Sequence, residues 1–84
     1  MEEQEIGTVD HFFGKISVGM INLSGELKVG ETIRIKGKQA DFSQSVESMR
    51  IGFDDVTEAK AGDKVGIKVT EAVHANDKVY KVIA

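Results

Sequence analysis

Apolar residues along this chain recur at every second position far more often than at every 3.6, the pattern of strands that bury one face. Six runs carry it: residues 6–13, 15–23, 32–36, 41–53, 65–69 and 78–83. In the second run Ile16, Val18 and Met20 share a face before the phase passes to Ile21 and Leu23, which predicts a bulge near Gly19 or Met20. The third alternates cleanly, with Ile33 and Ile35 on the core side and Thr32, Arg34 and Lys36 on the wet side. In the fourth, Phe42 and Val46 hold one phase while Met49, Ile51 and Phe53 hold the other. A bend near Glu47 or Ser48 is therefore predicted, and a strand bent in this way turns a corner and serves two parts of a sheet. Residues 54–60 are too short for a stable helix and read as a loop.

Punctuation falls to glycine, Asn and Asp, because proline is absent and there are nine glycines. Gly25, Gly30, Gly62, Asp63 and Asp77 are assigned to structural turns, with Gly30 and Gly62 at positive-φ positions. Short strands at this spacing, with no helical pattern between them, predict an all-β fold. Closure would protect the sheet edges of so small a domain, so the expected architecture is a six-stranded antiparallel barrel, closed or nearly so. At 84 residues the chain has room for a single core. It divides into an acidic amino-terminal tail, residues 1–5, and a barrel over residues 6–84. The tail carries Glu2, Glu3 and Glu5 and has two readings, plain disorder, which is the commoner, or a cover over a basic strand.

Composition narrows the chemistry. The net charge of -3 and 40% hydrophobic residues lie away from the corner where disorder is expected. Without cysteine there are no disulfides, thiolate metal sites or cysteine nucleophile, which suits a reducing cytoplasmic setting. The acidic start does not resemble a secretory signal, and no apolar run approaches a membrane span. No cofactor is implied, and a monomer is favoured.

His11 and His74, with Asp10 and Asp77 nearby in sequence, are weighed as a metal pair, but no ligand spacing supports one; surface histidines are the expectation. Asp54 and Asp55 are adjacent and point apart on an extended chain. Ser24, Ser43, Ser45 and Ser48 accompany no recognisable histidine and acid order, so no enzyme activity is expected. Phe12, Phe13, Phe42, Phe53 and Tyr80 are assigned mostly to the core. The basic stripe stands out: Arg34, Lys36 and Lys38 alternate along one strand, with Lys15 and Lys28 placed near it. Residues 11–40 carry these five cations against Glu26 and Glu31, a local excess of three positive charges in an acidic chain. Such a face meets phosphate, or is simply solvated.

Residues 25–37, Gly-Glu-Leu-Lys-Val-Gly-Glu-Thr-Ile-Arg-Ile-Lys-Gly, resemble the L-x-x-G-D-x-I-x-I-x-G turn and strand in domain two of translational GTPases such as elongation factor Tu and initiation factor two. Val46-Glu47-Ser48-Met49 with Val56, Glu58-Ala59, Ala61-Gly62-Asp63 and Val65-Gly66-Ile67 is similar to the second half of that domain, and Asn76-Asp77-Lys78-Val79 to its closing turn. The resemblance implies a six-stranded barrel that binds the ribosome, RNA or a translation-associated protein. It implies no GTP binding here, because the phosphate loop is missing. Residues 6–15, Ile-Gly-Thr-Val-Asp-His-Phe-Phe-Gly-Lys, look closest to a second version of the barrel, the carboxyl-terminal domain of collagenase-like peptidases. That version implies an accessory module that docks on a separately encoded enzyme.

Overall fold

The computed structural model describes residues 2–38 and 40–83. Alternating burial produces ten strands: β1 (Glu2–Phe13), β2 (Val18–Leu23), β3 (Leu27–Lys28), β4 (Thr32–Lys36), β5 (Asp41–Ser45), β6 (Met49–Ile51), β7 (Asp54–Val56), β8 (Glu58–Ala59), β9 (Lys64–Lys68) and β10 (Lys78–Ile83). Eight lie in one sheet in the order β5-β4-β10-β1-β2-β9-β6-β7, while β3 and β8 make a second; every pairing is antiparallel. The fold is all-β, but two expectations need correction. The strands number more than six, because the run 41–53 divides at its bend and residues 54–59 add β7 and β8. Among the described residues no backbone ladder joins the two ends of the larger sheet, so it is not a closed barrel.

The sheet nevertheless curls, for a covalent reason. β5 begins the strand order and β6 lies at its far side, yet only residues 46–48 separate them. Four Cα steps reach at most about 14 Å, so the two ends must approach each other. A side chain bridges the seam. Gln44 Nε2 donates to the Lys68 carbonyl at 2.7 Å, and Gln44 Oε1 accepts the Thr70 N–H at 2.8 Å. Inside the curl Ile6, Ile21, Ile33, Ile35, Val46, Met49, Val65, Ile67 and Val79 are fully buried. Leu27 of the small sheet is buried with them, and Val73, from the loop before β10, also joins this core.

Residues 2–5 are strand rather than tail. Glu2 to Glu5 pair with Ile83 to Tyr80 of β10. Register shifts in β1 fall between Glu5 and Gly7 against β10, and between Val9 and His11 against β2, so Ile6 and Asp10 are the extra residues. The bulge expected in β2 therefore lies in its neighbour. β2 begins at Val18, after a turn that contains Ser17 at φ 56°, and it keeps one phase: Gly19, Ile21 and Leu23 are buried. Residues 54–56, read from sequence as loop, pair with β6 because Gly52, at φ 62°, makes the two-residue turn with Phe53.

The assigned turn residues sit as follows. Gly30 and Gly62 take φ of 97° and 94°. The N–H of Gly25 reaches the Ile6 carbonyl, and Asp63 accepts the Lys60 N–H at 3.1 Å. Asp77 is buried, and its carboxylate accepts the His74 N–H at 2.9 Å. A Cβ on Gly37 would collide with that carboxylate, so only glycine lets the β4–β5 turn lie against the turn before β10.

Two stability outcomes follow from these contacts. Gln44→Leu removes both seam bonds and is expected to lower stability by about 1–2 kcal/mol. Gly37→Ala displaces the Asp77 carboxylate and is expected to be destabilising by about 1–3 kcal/mol. Thermal unfolding checks both, at roughly 4–8 °C per kcal/mol for a domain of this size.

Candidate interaction surface

The outer face of β2, β9 and β6 holds an apolar strip, Val18 and Met20, among the polar residues Asn22, Lys64, Lys68 and Arg50 normal to a solvated strand face. Val18 and Met20 point outward from β2, half-buried, while the core residues of that strand point inward. Across from Met20 on β9 stands Gly66, which is paired in turn with Arg50 on β6. A Cβ there would meet Met20 Sδ and Val18 Cγ1, each at 3.3 Å, so the missing side chain makes a floor between two walls. One wall is Val18 and Met20. The other is Arg50, whose Nε donates to Asp55 Oδ1 at 3.1 Å.

The ends of this groove come from two turns. The β1–β2 connection brings Phe13 and Ile16, 44% and 62% exposed, and the β6–β7 turn brings Phe53, 99% exposed. Together they border a groove of about 520 Å³, with Lys68 at its rim. The core assignment of Phe53 and Phe13 is thus corrected. Phe53 follows Gly52 at a hairpin tip, where no layer of the protein lies over it, and Phe13 stands on the last residue of β1, edge-on to the His11 ring with centroids 4.6 Å apart. Phe42 is buried, and Phe12 packs against the core. A signal for the groove was present in sequence: Ile16, Val18 and Met20 are a second apolar phase, belonging to an outer face and not to a bulge.

The basic stripe is divided: Arg34, Lys36 and Lys38 stay together on and just after β4, while Lys15 and Lys28 lie elsewhere. Arg34 gives a two-pronged contact to Asp41, with Nε to Oδ1 at 2.9 Å and Nη2 to Oδ2 at 3.1 Å, and a third bond from Nη1 to Glu3 Oε2 at 3.0 Å. The bond to Glu3, then that to Asp41, holds its pKa above the usual arginine range. A raised basic group contributes at every pH below its ordinary pKa and is lost only above the raised one, so Arg34 stays charged and clasped across the neutral range. Glu3, in the segment read as an acidic tail, is one of the two anionic partners of Arg34. Lys36 and Lys38 border a separate hollow with His74 and Lys78, beside Asp77. Lys28 is on the small sheet, opposite Glu58, and Lys15 is in the β1–β2 turn. His11 lies against Phe13 and His74 beside Asp77; among the described residues no cluster of three or more His, Asp or Glu gathers. No helix among the described residues is long and apolar enough to cross a membrane.

Comparison with known proteins bears on what the groove serves. No protein-family model matches the chain. It is 44% identical over 77 residues to an uncharacterized protease of Methanocaldococcus jannaschii, a match that takes in 90% of this chain and 19% of the protease. The chain thus spans about a fifth of the length of that relative. Among solved structures it superposes on the C-terminal domain of a protein assigned to the U32 peptidases, from Geobacillus thermoleovorans. The TM-score is 0.90 at 14% identity, covering 95% of this chain and 93% of that one. The selenomethionine variant of the same domain gives 0.86, also at 14% identity, covering 90% and 96%.

The chain has the fold of a U32 peptidase C-terminal domain.

This corrects the translation-factor assignment to a U32 C-terminal fold, and a translation role finds no support: the relatives are described as a protease and a U32 peptidase domain. The Gly-Glu and Gly-Asp signatures report positive-φ turns between short strands, and those recur wherever small antiparallel sheets curl. Of the two resemblances, the one carried by residues 6–15 is supported. Within the U32 C-terminal fold those residues make up most of β1, the strand that leads to Phe13.

Because Phe53 touches so little, Phe53→Ser is expected to leave stability within about 0.5 kcal/mol of the parent. Thermal unfolding of the two proteins side by side checks this, and a large loss would mean the side chain is packed after all.

Proposed function

We propose that this chain is a non-catalytic docking module that accompanies the catalytic portion of a U32-type peptidase, with the groove bounded by Phe13, Ile16 and Phe53 as the contact. The carrying observation is Phe53, an aromatic ring held at a hairpin tip with 99% of its surface in water. Isolated exposed apolar residues are ordinary, but three large ones around a groove with a glycine floor mark a surface built to be covered.

The occupant is argued from the relatives. The M. jannaschii protease is some five times longer than the matched region, so in that protein the equivalent module has a large neighbour in the same chain. The Geobacillus domain is likewise the C-terminal part of a larger protein. The groove walls suit contact better than bond breaking, since its lining is largely apolar and its Arg50–Asp55 pair is already joined. Fully burying an exposed Phe or Ile side chain contributes about 1.5–3 kcal/mol, so Phe13, Ile16 and Phe53 are the natural anchors for a partner.

Calorimetry tests this with the parent chain, Phe53→Ser and Gly66→Leu, each mixed with the catalytic segment of a U32 peptidase from the same organism lacking its own C-terminal domain. The parent is expected to bind, and each variant to bind at least about tenfold more weakly, a change of 1.4 kcal/mol. Absence of binding, or binding indifferent to both substitutions, defeats the proposal.

A further inference from the structure

The larger sheet has two outer strands, and they are protected unequally. β7 is three residues long and carries Asp54 and Asp55, the short, charged form that discourages pairing. β5 is five residues long, and beyond Asp41 its residues Phe42, Ser43, Gln44 and Ser45 carry no charge. Its ladder with β4 fixes where the backbone groups point. Gly37 N–H reaches the Ala40 carbonyl at 2.7 Å and Val46 N–H the Glu31 carbonyl at 2.9 Å, which sets the alternation between them. Phe42 and Gln44 therefore direct their N–H and C=O at β4, while Asp41, Ser43 and Ser45 direct theirs away from it. All three of these residues are exposed.

Beside this edge the protein already holds a peptide-like group. β9 loses its β6 partner beyond Ile67, and the Gln44 carboxamide takes the Lys68 carbonyl and the Thr70 N–H in its place. These are the two groups of successive alternate residues that a parallel neighbouring strand would engage. Ser17, Ser45, Glu47 and Ser48 border the wedge so formed.

We propose that the outer edge of β5, with the wedge beside it, is a strand-addition site for an extended, uncharged, Ser/Thr-rich segment of another polypeptide. Main-chain bonds to residues 41, 43 and 45 supply the affinity, as in other cases where a peptide extends an open sheet. Serine at two of these positions favours hydroxyl-bearing neighbours across the new ladder. A charged strand gains no partner at Asp41, which is already taken by Arg34. The inference does not depend on the docking reading, because it uses backbone groups of β5 and not the side chains of the groove.

The test is a titration of the ¹⁵N-labelled chain with the blocked peptide acetyl-Thr-Val-Ser-Val-Thr-Val-Ser-amide, reading amide shifts and hydrogen exchange. The amides of Asp41, Ser43 and Ser45 are expected to shift and to slow in exchange by at least about tenfold when the peptide is bound. Ser43→Pro deletes an outward donor yet leaves the β4–β5 ladder complete, so it is expected to fold normally and bind at least about tenfold more weakly. Ser45→Pro serves the same purpose where Ser43→Pro fails to fold. No shift at β5, shifts confined to Phe13, Ile16 and Phe53, or undiminished binding by the proline variants each overturns the proposal. A concentration-dependent dimer that perturbs β5 without peptide assigns the edge to a second copy and overturns it as well.

Discussion

One edge of the larger sheet, β5, is tied to β6, next to the opposite edge, by three residues of chain, 46–48, and this tether governs the rest of the molecule. An eight-stranded antiparallel sheet left open would be free to twist flat, with one apolar face in water. Joined in this way it must curl, and the curl encloses Ile21, Ile33, Ile35, Val65, Ile67 and Val79 in one core. The tether runs on from β5 as a corner and does not fold back as a hairpin, with Val46 still bonded to Glu31 and Gly30, so β5 and β6 do not pair and a wedge remains. Gln44 fills part of that wedge with its carboxamide. Core, seam and free edge are thus consequences of a single connection.

Charge is arranged to hold strands in place more than to meet a polyanion. Glu3 on β1 and Asp41 on β5 grip Arg34 from either side of β10, so one guanidinium links strands from three parts of the strand order. Lys78 and Glu5 make a further exposed pair between the neighbouring strands β10 and β1, and Lys64 and Asp10 one that spans β2 from β9 to β1, each of small energetic value. Lys81 reaches Glu31 and the carbonyl of Glu26, tying β10 to the connections around the small sheet. Of the alternating cations Arg34, Lys36 and Lys38, Arg34 is the one against which other strands bring their anions.

The layer formed by β2, β9 and β6 is apolar inside and carries a smaller apolar strip outside, flanked by Lys64, Lys68 and Arg50. Its inner face contributes to the core, and its outer face carries Val18, Met20 and the glycine floor at Gly66. Water covers that outer face in the isolated chain, and it is the face the docking proposal assigns to a partner. The aromatic tip at Phe53 costs little in stability because it is held by the tight turn at Gly52 and by nothing else.

Local sequence determined a good deal here. Period-two alternation is a property of neighbouring residues, so the strands 32–36, 65–69 and 78–83 were legible almost to their ends, as was the bend near residues 47 and 48 that divides β5 from β6. The turns at Gly30 and Gly62 were legible for the same reason, since the demand for positive φ is local. The groove was half legible: Ile16, Val18 and Met20 formed a visible second apolar phase, but a phase alone does not distinguish a bulge from a surface. Tertiary structure decided what depends on residues far apart in the chain. It placed Glu3 on Arg34, paired residues 2–5 with β10, lifted Phe53 into water, and set Gly37 against Asp77. It also left the ladder open at the seam. These outcomes depend on which strands become neighbours, and that is settled by burial and chain connection across the whole sheet, not by the residues of any one strand.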